Sequence, residues 1–332
     1  MIDETQTTQA TDAPEPTEPT EPTEPVDQAD ALGISQVVSA LRDVRLASLE
    51  HRNRRNRPPK LPARKALAEV VEGLGAALFP NRLGLPDLRE EGIDYFVGHT
   101  LDVALRELVA QVRLELDFAA DKVDAAAQPR SRALSLVRDF AARLPQVRLL
   151  LDSDIRAAFE GDPAARSVDE VLVCYPGINA IIHYRIAHVL HQLGVPLVAR
   201  IITEIAHSAT GIDIHPGASI DEGFFIDHGT GVVIGETCVI GKHVRLYQAV
   251  TLGAKRFPVE ADGSLVKGHA RHPVVEDDVV IYAGATILGR ITIGHGSVIG
   301  GNVWLTYTVP PNSNITQAQM REAAPAATRS SQ

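Results

Sequence analysis

From residue 214 onward, aliphatic side chains recur every six positions. Ile214, Ile220, Ile226 and Val232 set the interval, Ile234, Ile240 and Leu246 repeat it in a shifted frame, and Ile281, Ile287, Ile293, Ile299 and Leu305 resume it. Six matches neither the alternation of a strand nor the 3.6-residue turn of a helix. It fits a parallel β-helix of hexapeptides, in which each side of a triangular prism takes one short strand and a turn and the aliphatic residue points to the axis. Glycines at corner positions, Gly229 among them, allow the backbone to bend there. The repeat breaks at 254–273, AKRFPVEADGSLVKGHARHP. That stretch is expected to project from an edge of the prism, where loops carry function.

The first half reads differently. Leu101, Leu105, Leu108, Val109, Val112 and Leu116 fall on one face of a helical period. Pro145 suits a helix first turn, EGDP at 160–163 a stop, and Ser167 with Glu170 a capping box. GINAIIHYRIAHVLHQLG, 177–194, reads as a further helix. The expected class is therefore α+β, divided into an acidic Thr/Glu/Pro tail at 1–30, a helical region at 31–210, the β-helix at 211–311 and a C-terminal tail at 312–332.

The formal charge of −10 over 332 residues is concentrated in residues 1–30, which hold nine Asp and Glu and no Lys or Arg. The remainder is nearly neutral, so net charge does not point to nucleic acid. The tail, with three Thr-Glu-Pro units at 17–25, is expected to be extended and disordered. The basic cluster HRNRRNRPPKLPARK, 51–65, has no interleaved aromatic residue to stack on bases and reads as a solvated arm. Cys174 and Cys238 are too few for a disulfide framework and favour a reducing cytosol. No signal sequence or apolar run of spanning length is found, so a cytoplasmic protein with no membrane partner is expected.

A wall of isoleucines needs no histidine beside an aspartate, yet Asp213, His215, Asp227 and His228 interrupt this one. Asp213 and His228 are fifteen residues apart, close to one coil of about eighteen. On that spacing they approach from adjacent coils, the carboxylate fixing one ring nitrogen and leaving the other as a base. Arg271 and His272 end the projecting loop, and the guanidinium fork suits a carboxylate. Asp227 would complement an amine. Glu236 reads as a supporting partner or a turn residue. His183, His188 and His191 share a helix without a convincing ligand spacing, so no metal is expected.

DIHPGA, DHGTGVVIGET, VTLGAK, RHP and GATILG, in that order, resemble the serine O-acetyltransferases, left-handed parallel β-helix enzymes with a helical N-terminal domain. The similarity runs from about Asp162 to Pro311, with DPAA at 162–165 and YRIAH at 184–188 resembling the segment that joins the two domains. The resemblance implies that His228 is the base on the serine hydroxyl and Asp213 its orienting partner. It places Asp162 and Asp227 on the substrate amine, and Arg271 and His272 on the carboxylate. Acetyl-CoA, the co-substrate, would lie between subunits near Gly253, Ala254, Ala283, Gly284 and Ala285. A homotrimer or dimer of trimers and inhibition by cysteine at the serine site are also implied. The 254–273 loop is longer than in short family members. The chain ends ATRSSQ, without the terminal isoleucine that engages cysteine synthase, so association through the tail is not expected. Two rivals stay open: an acetyltransferase of a sugar or homoserine hydroxyl, and a β-helix scaffold without catalysis.

Overall fold

The computed structural model describes residues 32–51, 60–120, 129–256, 260, 262–266 and 268–317. The 1–30 tail, most of the basic cluster and residues 318–332 lie outside the described residues. The chain divides into two units after Pro58. In the first, the described element is helix α1, Ile34–His51. The second begins with helices α2 (Arg64–Leu78), α3 (Pro80–Leu83), α4 (Ile93–Ala120), α5 (Pro129–Ala141), α6 (Leu144–Gly161), α7 (Val168–Cys174), α8 (Pro176–Gln192) and α9 (Pro196–Thr210). Among the described residues no helix is long and apolar enough to cross a membrane.

Prolines start several of these helices, as their missing N–H and fixed φ allow: Pro145 in α6, Pro176 in α8 and Pro196 in α9. Ser167 caps α7 by accepting from the Glu170 N–H at 3.0 Å. The reciprocal half of the expected box is displaced by one residue, since Glu170 accepts from the Arg166 N–H. On α4, Leu108 and Val112 are fully buried, and Leu101, Leu105, Val109 and Leu116 pack against the same core.

Among the described residues fourteen short strands follow, all pairing in parallel. They form a left-handed parallel β-helix with three faces: the first of β1 (Asp213–Ile214), β4 (Val233–Ile234), β7 (Thr251–Gly253), β10 (Thr286–Leu288) and β13 (Trp304–Leu305), the second of β2 (Ser219–Ile220), β5 (Val239–Ile240), β8 (Val274–Val275) and β11 (Thr292–Ile293), the third of β3 (Phe225–Ile226), β6 (Arg245–Leu246), β9 (Val280–Ile281), β12 (Val298–Ile299) and β14 (Asn314–Ile315). The hexapeptide aliphatics fill the prism, with Ile234, Leu252, Ile287 and Leu305 at 0–1% exposure on the first face alone. Val233 lies beside Thr251 and Thr286 beside Trp304, a coil of 18 residues. The first coil is longer, Asp213 lying beside Val233, a step of 20. The largest step, 35 from Thr251 to Thr286, contains the projecting loop, which leaves at the corner between the first and second faces.

The helices α2–α9 and the prism belong to one unit, joined by buried polar contacts. Asp154 of α6 and Arg185 of α8, 0% and 3% exposed, form an ion pair at 2.9 Å. Asp154 also accepts from the Phe224 N–H, and Arg185 donates to the carbonyls of Ile220 and Asp221. Removing either partner would leave an uncompensated buried charge. Gly177 lets α8 approach the strand closely, since a β-carbon there would stand 2.4 Å from the Ile226 carbonyl oxygen.

Candidate active site

Two clusters of polar side chains flank the first face, one at each end. The corner between the third and first faces holds Asp227 and His228. The core positions Ile226 and Ile234 on either side are eight residues apart instead of six, which explains the frame shift in the sequence. The extra two residues widen the turn into a left-handed path, with φ of 59° at His228, 84° at Gly229 and 79° at Gly231. A side chain at Gly229 would meet Ile212 at 2.4 Å, so this turn requires glycine. His228 is held outward, its side chain 70% exposed, with Nδ1 3.9 Å from Asp227 Oδ1.

Asp227 is nearly buried and accepts from Arg245 at 3.0 Å. The guanidinium of Arg245 lies over the rings of Phe225 and Tyr247, 5.0 and 4.7 Å from their centroids. Asp162 follows the end of α6 and joins this corner. Its carboxylate accepts from the Ala164 N–H at 2.8 Å and from the Tyr175 hydroxyl at 2.5 Å. The Tyr175 bond holds the Asp162 carboxyl below the usual range, helped by the charges of Arg245 and His228. The same bond pushes the Tyr175 phenol up to about 12.

The 20-residue first coil puts Asp213 beside Val233, five residues beyond His228, and the carboxylate oxygen 3.9 Å from the His228 ring belongs to Asp227. Asp213 sits instead with Glu204 and His207, potential ligand atoms of the three lying within 4.8 Å of one another. Glu204 is already paired with Arg200 and His207.

The corner between the first and second faces holds Arg271, His272, Glu236 and His215. Arg271 donates to Glu236 Oε2 at 2.5 Å and to the His269 carbonyl at 3.3 Å. Although burial opposes the charge, the bond to Arg271 holds the Glu236 carboxyl below its usual range. His272 is buried, its Nδ1 accepting from the Thr237 N–H at 3.1 Å. Burial, then the Arg271 charge, lowers its pKa to about 4, so the ring is neutral. His215, whose Nδ1 accepts from the Gly217 N–H, is likewise lowered to about 4 by burial and then by Arg200. His191 packs edge-on against His215 and His188 Nδ1 meets the Pro216 carbonyl, so both stand at the junction of α8 and the prism.

Gly253 and Ala254 lie where the first face ends and the loop begins, and Ala283 and Gly284 precede the same face one coil on. Gly284 adopts a φ of 72° with Asn302 Oδ1 2.2 Å from where a β-carbon would be. Ala285 differs from the others: its side chain is fully buried and its main-chain groups bond to Tyr282 and Thr251. Sequence reasoning missed Tyr175, Arg245 and Thr237. Thr237 stands inside the GET run, but no spacing announces what its hydroxyl holds.

Comparison with known proteins then fixes the family. The model for bacterial transferase hexapeptide (six repeats) matches residues 272–306. The plasmid serine acetyltransferase of Synechococcus elongatus is 58% identical over 265 residues, covering 79% of this chain and 83% of that protein. The chain belongs to the serine acetyltransferase family. A serine acetyltransferase of Bacillus subtilis is 46% identical over 166 residues, 50% of this chain and 72% of that one. Among solved members of the family, Entamoeba histolytica serine acetyltransferase 1 in complex with L-cysteine matches with a TM-score of 0.66 at 38% identity, covering 75% of this chain and 86% of that chain.

Proposed function

We propose that the chain is a serine O-acetyltransferase, moving the acetyl group of acetyl-CoA to the L-serine hydroxyl to give O-acetyl-L-serine for cysteine biosynthesis. The observation that carries this reading is the complementarity of the two corners to the two ends of an amino acid. Asp162 and Asp227 offer carboxylates to the amine beside His228, and Arg271 with a neutral His272 offers donors to the carboxylate. A sugar acceptor would need neither charge pattern.

His228 takes the proton from the serine hydroxyl as its oxygen attacks the thioester carbonyl. The tetrahedral oxyanion collapses, the carbon–sulfur bond breaks, and the imidazolium returns the proton to the CoA sulfur. No covalent enzyme intermediate is required. Asp213, on the outer side of the first face, is the carboxylate proposed to orient the imidazole in the closed site. Gly253, Ala254, Ala283 and Gly284 border the groove proposed for the cosubstrate, with Ala285 spacing the coil from within.

His228 and Glu236, the partner of Arg271, stand at opposite ends of the first face, with the turn at 229–232 and strand Val233–Ile234 between them. One serine is reached by both only if a second copy brings its opposite corner. This supports a homotrimer, or a dimer of trimers, closed over the first face. The outward column there is Val233, Thr251, Thr286 and Trp304, the last 61% exposed. L-Cysteine, the ligand in the Entamoeba structure, is proposed to compete at the serine site. A cytoplasmic setting agrees with the two free cysteines.

The test is release of CoA thiol from acetyl-CoA with L-serine, beside homoserine, a sugar acceptor and the His228→Ala variant. Serine-dependent release lost in the variant is expected, while release with another acceptor alone would overturn the substrate. Sedimentation at working concentration should give three or six chains, and a catalytically active monomer would refute the shared site.

A further inference from the structure

The two residues that meet the substrate carboxylate, Arg271 and His272, are the first to rejoin the prism after the projecting loop, a place where a chain is ordinarily least constrained. They rejoin it directly against Gly235, Glu236 and Thr237 on the preceding coil, where Val239 lies beside Val274 and its N–H donates to the Pro273 carbonyl. We propose that Gly235, Glu236 and Thr237 form a template that selects the tautomer of His272 and aims Arg271; they are positioning residues for the carboxylate grip, and the proposal rests on the serine reading above.

Each member of the template has one task. The Thr237 hydroxyl accepts from the N–H groups of both Arg271 and His272, at 2.9 and 3.1 Å. Its own proton is then free for His272 Nδ1, 2.9 Å away. With two bonds accepted and one donated, the hydroxyl is fully used. The Thr237 N–H points to the same ring nitrogen at 3.1 Å. A main-chain N–H can only donate, so Nδ1 carries the lone pair and the proton sits on Nε2. That makes His272 a neutral donor toward the carboxylate, in agreement with its depressed pKa of about 4.

Glu236 accepts from one terminal nitrogen of the guanidinium and the His269 carbonyl from the other, which leaves three of its five N–H donors for a ligand. Gly235 makes the seat possible, because a β-carbon there would stand 2.0 Å from His272 Cδ2 and 2.2 Å from Nε2. Arg290 closes the arrangement from the next coil, donating to the carbonyls of both Thr237 and His272. The template is therefore held to the residues it positions by main chain as well as side chain.

The experiment combines steady-state kinetics with nitrogen NMR of the full-length protein labelled at histidine, the His272 signals being those lost in His272→Gln. Thr237→Val keeps the shape and removes the hydroxyl, Thr237→Ser restores it, and Glu236→Gln keeps the size and removes the charge. In Thr237→Val the KM for serine should rise about tenfold, the loss of roughly one hydrogen bond, with the KM for acetyl-CoA unchanged. Thr237→Ser should return it toward the parent value. His272 should be a single Nε2–H form in the parent and should stay so in Thr237→Val, because the main-chain N–H of residue 237 still points at Nδ1. Glu236→Gln should raise the serine KM without altering the tautomer. An unchanged serine KM in Thr237→Val, or an Nδ1–H form of His272 in the parent, overturns the template. A parent protein without serine-dependent turnover would sink the substrate reading, and the parent's tautomer then decides alone: a single Nε2–H form supports the template, and a mixture or an Nδ1–H form overturns it.

Discussion

The two corners of the first face are built from the same repeat and end in opposite states. At one, two residues added to a hexapeptide push His228 outward on a left-handed backbone, largely exposed, with a carboxylate oxygen 3.9 Å away. At the other, a long loop returns to the coil and Arg271 and His272 are drawn in and bonded before any ligand arrives. On the proposed function, the difference follows from what each group must do. A cation and a donor that meet a fixed carboxylate gain from being held in advance, since little is reorganised on binding. A base must change protonation at each turnover and reach a hydroxyl brought by the substrate, so on the same proposal its setting is completed by the substrate and a second copy of the chain.

That contrast is broken most directly at its exposed end. His228→Ala should lower kcat by about 10²–10⁴, the usual worth of a positioned base, while the KM for serine stays near the parent value. A matching rise in KM would make His228 a binding group and remove the distinction. Arg271→Lys should come next. It keeps the charge and loses the planar fork that Glu236 aims, so kcat/KM for serine should fall by roughly ten- to a hundredfold, with the KM for acetyl-CoA unaffected. Equal losses for both substrates would place Arg271 outside the serine grip. Tyr175→Phe sharpens the comparison within the first corner, since it removes only the bond to Asp162. A rise in serine KM of about fivefold is expected from one hydrogen bond, measured with stability followed in parallel.

The prism was legible because a hexapeptide repeat is decided by its core positions, and those are aliphatic at almost every coil. The shift from Val232 to Ile234 was visible in the sequence, and it is the two-residue insertion that displays His228. Where Asp213 stands relative to His228 was not legible from their spacing, because the insertion lengthens the local coil to 20 residues. Arg185 lies unremarked inside YRIAH at 184–188, and only the packing of α8 on the prism makes it the buried partner of Asp154. Tyr175 and Arg245 were missed for a related reason. Their bonds to Asp162 and Asp227 join segments whose relative placement depends on the helix–prism contact and on which coil stacks where.

The smallest expected effect concerns stability against pH, and of the two corners it is argued for the bonded one. His272 and His215 both titrate near 4 in the folded chain, against about 6.5 when unfolded. Between those values the unfolded chain binds more protons than the folded one, so folding stability rises with pH across this window. The contribution is whole above about 6.5 and is lost as pH falls toward 4. Neither ring is fully shielded from water, so a drop of only a few degrees in melting temperature is expected from these groups over that range. His272→Gln and His215→Gln should each flatten the slope of melting temperature against pH between 6.5 and 4. If both variants kept the parent slope, the titration that couples to folding would lie outside the bonded corner, and the description of that corner as assembled in advance around two neutral rings would fail.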